Sequence, residues 1–455
     1  AIHGQALCLG HLKSPFEAIE KARKHPNNFS KDEIRDMEEN RAVTLILWGK
    51  IDKDNIETFK DRYVYLDRSI TDLKQQIDTT DDPGRKLRLQ FDLIVAYVFR
   101  NRHRDAIEEY EKILKSGKII QDIPVYVLEG VGDSFLTLRQ PEKAKEVFNC
   151  ILEKDRKNPK AIEGYFYAML ECNKPEEALD FIKRNRENYS KWIQLLDTAY
   201  FNKSRVITEE TYNASFLYGN LLGTADEITK EAIQIMPMNS SMRTLRGNVL
   251  QARGLPRAAE MEYDIGLANW PDTTSLLLGK ARAHLGLNEP EYAEQIMNEV
   301  SETYPESLDL KRFKEEWKSY NAREFDSNTT FETGGSQNSG KYSLTTDNRL
   351  YSQTFANHYR AFLSGFYQWG TFTEGTLNRG LEGAGIEYRN RNTRWLGEVN
   401  STQWGKTRLG ASLEAEYTPL DTIKLSTKAD IISRQTPGRA IINNITSNYY
   451  KIGFD

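Results

Sequence analysis

Cysteine is scarce. Cys8, Cys150 and Cys172 are the only three in 455 residues, too few for a disulfide framework and without the CxxC pattern of a metal site. Each is expected to act as a small apolar packing residue. The six histidines (His3, His11, His25, His103, His284 and His358) are scattered and read as surface or packing residues, so no metal site is expected. Long apolar runs are missing too. The longest, Val43 to Trp48 with one Thr inside it, falls far short of the roughly 18 residues that a membrane helix needs. That excludes a helical anchor but not membrane strands, whose alternation never produces a long run. No charge excess exists: the net charge is -4 and the pI near 6.0, which argues against nucleic acid as a partner. P-loop, HExxH and GxSxG patterns are absent, and Gly383-Ala384-Gly385 lies in a strand pattern with no helix after it. Nothing points to an enzyme or a cofactor. The chain opens at Ala1 with no Met, n-region or h-region; a removed signal peptide or a trimmed start would both give this, so the compartment is not read from it.

What is present first is a repeat. Pro237, Pro271 and Pro305 stand 34 residues apart, as do Ala225, Ala259 and Ala293, and as do Ala232, Gly266 and Val300. Upstream, Ala144 and Ala178 keep the same spacing, and prolines sit three residues before the alanine at 141, 175, 256 and 290. The mechanics follow directly. Alanine fits where two antiparallel helices cross closely, proline suits the first turn of the second helix, and the closing proline ends that helix. Tyr110, Phe148 and Tyr263, each four residues after its alanine, fill the seam. Leu128, Gly132, Phe135, Ala144 and Phe148 in one unit, and Gly247, Ala259, Tyr263 and Pro271 in another, resemble the tetratricopeptide family. Residues 186–212 break the phase. Helices are expected over Lys31 to Trp48 and Ile56 to Ile77, and a final helix, Leu310 to Tyr320, carries Leu310, Phe313, Trp317 and Tyr320 on one face as a cap. Such a solenoid offers a concave surface. Ser241, Thr244, Asn248, Gln251 and Arg282 are placed there as a partner-binding groove, with an ordinary solvated helix face as the alternative.

After residue 323 the chain changes character. Twelve of the 14 prolines lie before residue 324, whereas 18 of the 49 aromatics fall in the last 132 residues. Period-two alternation replaces the helical period. Leu409, Ala411, Leu413, Ala415 and Tyr417 share one face, and Arg408, Gly410, Ser412, Glu414 and Glu416 the other. Ile423, Leu425, Thr427, Ala429 and Ile431 likewise oppose Lys424, Ser426, Lys428 and Asp430. Further strands are expected near 325–332, 341–351, 359–369, 378–390, 393–403 and 446–454. A soluble β-sandwich alternates as well, but its strands run nearer 5–6 residues; strands of about 10 favour a transmembrane barrel.

Four segments then carry a resemblance: 245–260 (LRGNVLQARGLPRAAE), Asp309-Leu310-Lys311-Arg312, Gly334-Gly335, and Ser433 to Ala440 in a late turn. They are similar to the poly-β-1,6-N-acetylglucosamine export porins, well from about residue 215 and thinly before 200. The resemblance implies an α + β multidomain chain: a helical region (1–84), a tetratricopeptide-repeat domain with its cap (85–323), and the first part of an antiparallel outer-membrane β-barrel (324–455). About sixteen strands are implied where about eight are present, so truncation within the barrel is expected. It also implies a repeat domain in the periplasm that docks a polysaccharide deacetylase, and export of the partly deacetylated exopolysaccharide for biofilm formation. A deacetylated sugar bears an ammonium. Glu398, Glu414, Glu416 and Asp430 are therefore expected to guide it along the channel wall, unless Arg408, Lys424 and Lys428 simply pair with them. Phe362 and Phe366 are expected on the same side, as stacking surfaces. Export of another glycan such as cellulose, a repeat-plus-barrel machine for proteins, and a soluble adaptor remain as alternatives.

Overall fold

The computed structural model describes residues 1–12, 14–52, 62–336, 340–404 and 406–455. It divides into two compact units, Ala1–Thr229 with Glu302–Leu308, and Lys230–Ser301 with Asp309–Asp455.

The first unit is built of helix pairs. Prolines open the helices Pro141–Lys154 and Pro175–Arg186, and Ala106, Ala144 and Ala178 are wholly buried at the crossings. The Phe148 ring is clamped between Gly132 and Gly164, where a Cβ on either glycine would run into it. Helices Lys31–Asp52 and Val64–Thr79 occupy the upstream region; the first residues of the helix expected over 56–77 lie outside the described residues. The break in repeat phase is an antiparallel hairpin, β1 (Trp192–Leu195) with β2 (Thr198–Phe201), after which helix Lys203–Tyr218 resumes the pairing.

In the second unit the same joinery recurs. Helix Ser240–Ala252 pairs with Pro256–Asn269, which packs in turn on Thr274–Gly286; helix Pro290–Thr303 follows, its Tyr292 stacked on His284 at 5.3 Å. Ala259 and Ala293 are fully buried. Tyr263 fills the space between Gly247 and Gly279, and its hydroxyl donates to Asn248 Oδ1 at 2.7 Å. The turns after helices Lys203–Tyr218, Ser240–Ala252 and Thr274–Gly286 share a left-handed residue, at Asn220, Gly254 and Asn288, with φ of 56°, 76° and 56°. These positions are again 34 apart, and Asn and Gly tolerate that conformation best.

The helix Leu308–Tyr320 leads into eight strands: β3 (Glu324–Ser336), β4 (Gly340–Tyr351), β5 (Tyr359–Phe372), β6 (Gly375–Arg389), β7 (Thr393–Trp404), β8 (Lys406–Leu420), β9 (Ile423–Ile431) and β10 (Tyr449–Phe454). Each pairs antiparallel with the next in sequence. Most of these strands span 12–15 residues, roughly twice the common length for soluble sheets.

One rim of the sheet is fastened to the repeats. Asp421, in the β8–β9 turn, accepts hydrogen bonds from the Arg257 and Ala258 backbone N–H groups at 3.2 and 3.0 Å, completing the N-terminus of helix Pro256–Asn269. The Arg257 guanidinium donates to the carbonyls of Arg391 (2.7 Å) and Thr418 (2.6 Å) and to Asn392 Oδ1 (2.8 Å). Arg391, in the β6–β7 turn, reaches Glu260 at 2.6 Å and Glu289 at 2.7 Å, and His284 Nδ1 lies 2.9 Å from Glu289. Glu260, His284 and Glu289 present ligand atoms within 4.8 Å of one another. The cation this acceptor set holds is the chain's own Arg391.

Candidate functional site

The sheet has two unlike faces, generated by register. Ala384, Val399, Ala411 and Ile431 stand side by side across β6 to β9, and Ile386, Gly397, Leu413 and Ala429 form the next row. On this face Leu363, Ile386, Val399, Leu409, Leu413 and Ile431 are at least half exposed. A continuous exposed apolar band of this kind on long strands is what a barrel presents to lipid. Ala415 shares the face, flanked by Trp395 and Thr427.

The opposite face is polar, and all four expected carboxylates stand on it. None is free. Glu414 accepts from Lys428 Nζ at 2.6 Å, and Glu416 pairs with Lys424 at 3.0 Å. Asp430 accepts from the hydroxyls of Ser412 (2.6 Å) and Ser433 (3.0 Å). Glu398 is 3% exposed; it accepts from Ser364 Oγ at 2.9 Å and is paired with Arg434. Lys424 and Lys428 thus pair with the acids as the polar spacing allowed, whereas Arg408 turns to Asn444 Oδ1 at 2.8 Å. The face is a ladder of alternating charge rather than a bare acidic track.

Phe362 and Phe366 also lie on this side, at 3% and 8% exposure, and neither is an open platform. Phe362 packs on Tyr351 with ring centres 5.4 Å apart and over Gly385, where a Cβ would collide with it. Phe366 lies under two guanidinium groups, Arg379 at 5.8 Å and Arg434 at 5.9 Å.

Sequence reasoning missed several members of the wall. Glu387 is 1% exposed and receives Arg360 at 2.6 Å and Arg394 at 2.7 Å. Arg349 lies 3.7 Å from Glu414 and 3.8 Å from Glu398. Counting alternate residues from Glu387 along β6 and from Arg360 along β5 would have put both on the polar face. The residues 433–440, expected as a late turn, instead belong to a segment that folds over this face and contains the short helix Gly438–Ile442.

In the repeats, the five groove residues meet different fates. Ser241 is exposed. Thr244 Oγ1 donates to the Ser240 carbonyl, Asn248 holds the Tyr263 hydroxyl, Gln251 donates to the Gly279 carbonyl at 2.8 Å, and Arg282 is tied to Glu316 and Asp309. Most of this row already joins one helix to the next. In the first unit the inner helices carry acids instead. Asp92 and Glu163 are half-buried. Burial, with Glu39 nearby, pushes Asp92 up to about 6; burial, with Asp133 and Glu210 nearby, pushes Glu163 up to about 7.

Comparison with known proteins gives the following. Residues 324–454 match a family described as the PgaA membrane beta barrel domain. The poly-beta-1,6-N-acetyl-D-glucosamine export protein of Escherichia coli (strain K12) is 27% identical over 410 residues, covering 85% of this chain and 49% of the relative. The protein of that name from Escherichia coli O157:H7 gives the same figures. The chain thus spans about half the length of the curated relatives it matches. Among solved structures, a tetratricopeptide repeat protein from Parabacteroides merdae aligns with a TM-score of 0.45 at 14% identity, covering 61% of this chain and 98% of its own. A TPR protein from Thermus thermophilus gives 0.36 at 17% identity, covering 43% and 98%. The repeat assignment rests on the chain's own helix packing.

Proposed function

We propose that this chain is the repeat domain and first barrel strands of an outer-membrane porin that exports partly deacetylated poly-β-1,6-N-acetylglucosamine. The carrying observation is the division of the eight-stranded sheet into an apolar band and a wall of paired charges. A wall of that kind is hydrated and offers a polymer many weak sites, so the polymer can bind and leave. The similarity to exporters of this polymer supplies the substrate class. In this reading the rim fastened to helix Pro256–Asn269 faces the periplasm, and the repeats dock the deacetylase that sends the polymer on. The chain itself performs no catalysis.

The test is bilayer conductance of the full-length protein with glucosamine, N-acetylglucosamine and cellulose oligomers added on the repeat side. A change in current on adding glucosamine-containing oligomers, with little effect of cello-oligomers, is expected. Equal response to all three, or none to any, overturns the reading. Docking is tested separately by calorimetry of the deacetylase with the full-length protein, where absence of binding removes that partner.

A further inference from the structure

Of the four carboxylates expected on the polar wall from the sequence, three are held by groups of the wall or its immediate margin. Glu414 and Glu416 have lysines on the adjacent strand β9, and Asp430 has serine hydroxyls. Glu398 differs: Arg349 of the wall stands off its Oε2 at 3.8 Å, beyond hydrogen-bond reach, and the cation that contacts it closely, Arg434, comes from the segment between β9 and β10. Besides Arg434, that segment is fastened to the sheet at its two ends and along its short helix: Arg379 donates to the carbonyls of Ser433 (2.8 Å) and Arg434 (3.4 Å), Ser433 Oγ donates to Asp430, Arg408 reaches Asn444, Arg439 pairs with Glu374 at 3.3 Å, and Ile441 is buried at 3% exposure. The Arg434 guanidinium itself donates to Asp347 Oδ1 and to Ser364 Oγ, both at 3.0 Å, besides Glu398.

A second observation lies beneath it. Glu398 Oε2, Asn400 Oδ1 and Thr402 Oγ1 have no hydrogen-bond partner among the described residues, although their residues are only 3%, 5% and 4% exposed. They occupy alternate positions on β7, so they form a row pointing the same way, spaced by about 6.6 Å. Buried oxygens seldom go unpaired. A row of them beside a carboxylate calls for a ligand rich in N–H and O–H donors, carrying positive charge.

We propose that Arg434 is an internal occupant of a cation subsite formed by Glu398, Asp347 and Ser364, and that a primary ammonium of an aminosugar polymer takes its place. This rests on the export reading above and deepens it. The ammonium satisfies Glu398, sugar hydroxyls donate to Asn400 and Thr402, and the segment 432–448, no longer held by Arg434, lifts from the wall. The chemistry favours exchange. Both cations suit the carboxylate, yet only the polymer brings additional donors for the unpaired oxygens. Because Arg434 lies outside the strands, its release breaks no ladder hydrogen bond.

The experiment uses the full-length protein in planar bilayers, comparing wild type, Arg434→Ala and Arg434→Lys, with glucosamine and N-acetylglucosamine oligomers as probes. The expected result is a several-fold rise in oligomer-free conductance for Arg434→Ala, with loss of any opening by glucosamine oligomers, and near wild-type behaviour for Arg434→Lys. An Arg434→Ala channel with wild-type conductance and oligomer response overturns the subsite while leaving export standing. Wild type indifferent to every oligomer overturns export itself, and the subsite with it. As a check independent of conductance, a spin label at Gln435→Cys, with the three native cysteines replaced, should gain mobility on adding glucosamine oligomers but not N-acetylglucosamine oligomers. Unchanged mobility with both overturns the exchange.

Discussion

Between Gly247 and Gly279 the ring of Tyr263 leaves no room for one added carbon, whereas along β7 three buried oxygens have nothing to accept from among the described residues. The repeat crossings at Phe148 and Tyr263 are filled, and the Tyr263 hydroxyl is hydrogen-bonded. The inner face of the sheet is enclosed yet polar groups on it go unused. Filled sites resist every change of volume, since protein cores pack like crystals. Underused polar sites store no stability and remain available to a ligand. The difference separates a part of the molecule that holds its shape by close packing from the part to which the proposed exchange of cations is assigned.

The largest effect expected lies on the outer face. Leu413, half exposed in the apolar band, is followed by Glu414 on the polar wall. Leu413→Lys should block insertion of the full-length protein, at about 2–4 kcal/mol for a midplane lysine, while Glu414→Gln combined with Glu416→Gln should insert normally. Heat-modifiable migration of the inserted barrel reads both. The reverse pattern would mean that the register is displaced by one residue, since such a slip exchanges the faces. Next comes overfilling. Gly164→Val drives a side chain into Phe148 and should cost about 1–3 kcal/mol, with Gly279→Val matching it at Tyr263; denaturant melts that leave both unchanged would refute the shared joinery.

A smaller effect concerns charge in the repeats. Glu163 is held near 7, above its unfolded value, so between roughly pH 4.5 and 7 the folded state binds the extra proton. Stability contributed by that proton is complete at low pH and declines as pH rises through this window. Glu163→Gln should therefore raise the melting temperature at pH 8, by about 1 kcal/mol of stability, and change little at pH 4. A gain of the same size at both pH values would remove the titration from the account. The smallest effect sharpens the contrast itself. Thr402→Val deletes an unpaired buried hydroxyl, and its cost should stay within about 0.5 kcal/mol; a loss above that would show the hydroxyl to be engaged.

Much of this was legible in advance because periodicity reports packing. The 34-residue spacing placed the buried alanines, and alternation placed Leu413 and Glu414 on opposite faces. What spacing cannot give is partner choice. Arg434 lies 36 residues from Glu398 in what reads as a plain turn, and nothing local says that the turn folds inward. Arg408 looked equivalent to Lys424 and Lys428, yet its strand position puts it beside Asn444 instead. Phe362 and Phe366 fell on the expected side, but the guanidinium groups over Phe366 come from β6 and from beyond β9. Some signals were visible and went unused. Asn220, Gly254 and Asn288 repeat at 34 and mark the left-handed turns, and Gly164 and Gly279 are the far jaws of the clamps.

The clasp of Asp421 and Arg391 on helix Pro256–Asn269 makes the two rims of the sheet unequal as places to edit. The β6–β7 and β8–β9 turns are short and every exposed carbonyl of Arg391 and Thr418 is engaged, so an inserted residue there would pull the helix end away from its cap. At the opposite rim the contact is lighter. There the β5–β6 turn at Thr373 and Glu374 is met, through side chains, by Arg439 of the short helix Gly438–Ile442. Epitopes and reporter sequences belong at that distal turn, and graft tolerance becomes a compass that tells which rim of the sheet is which.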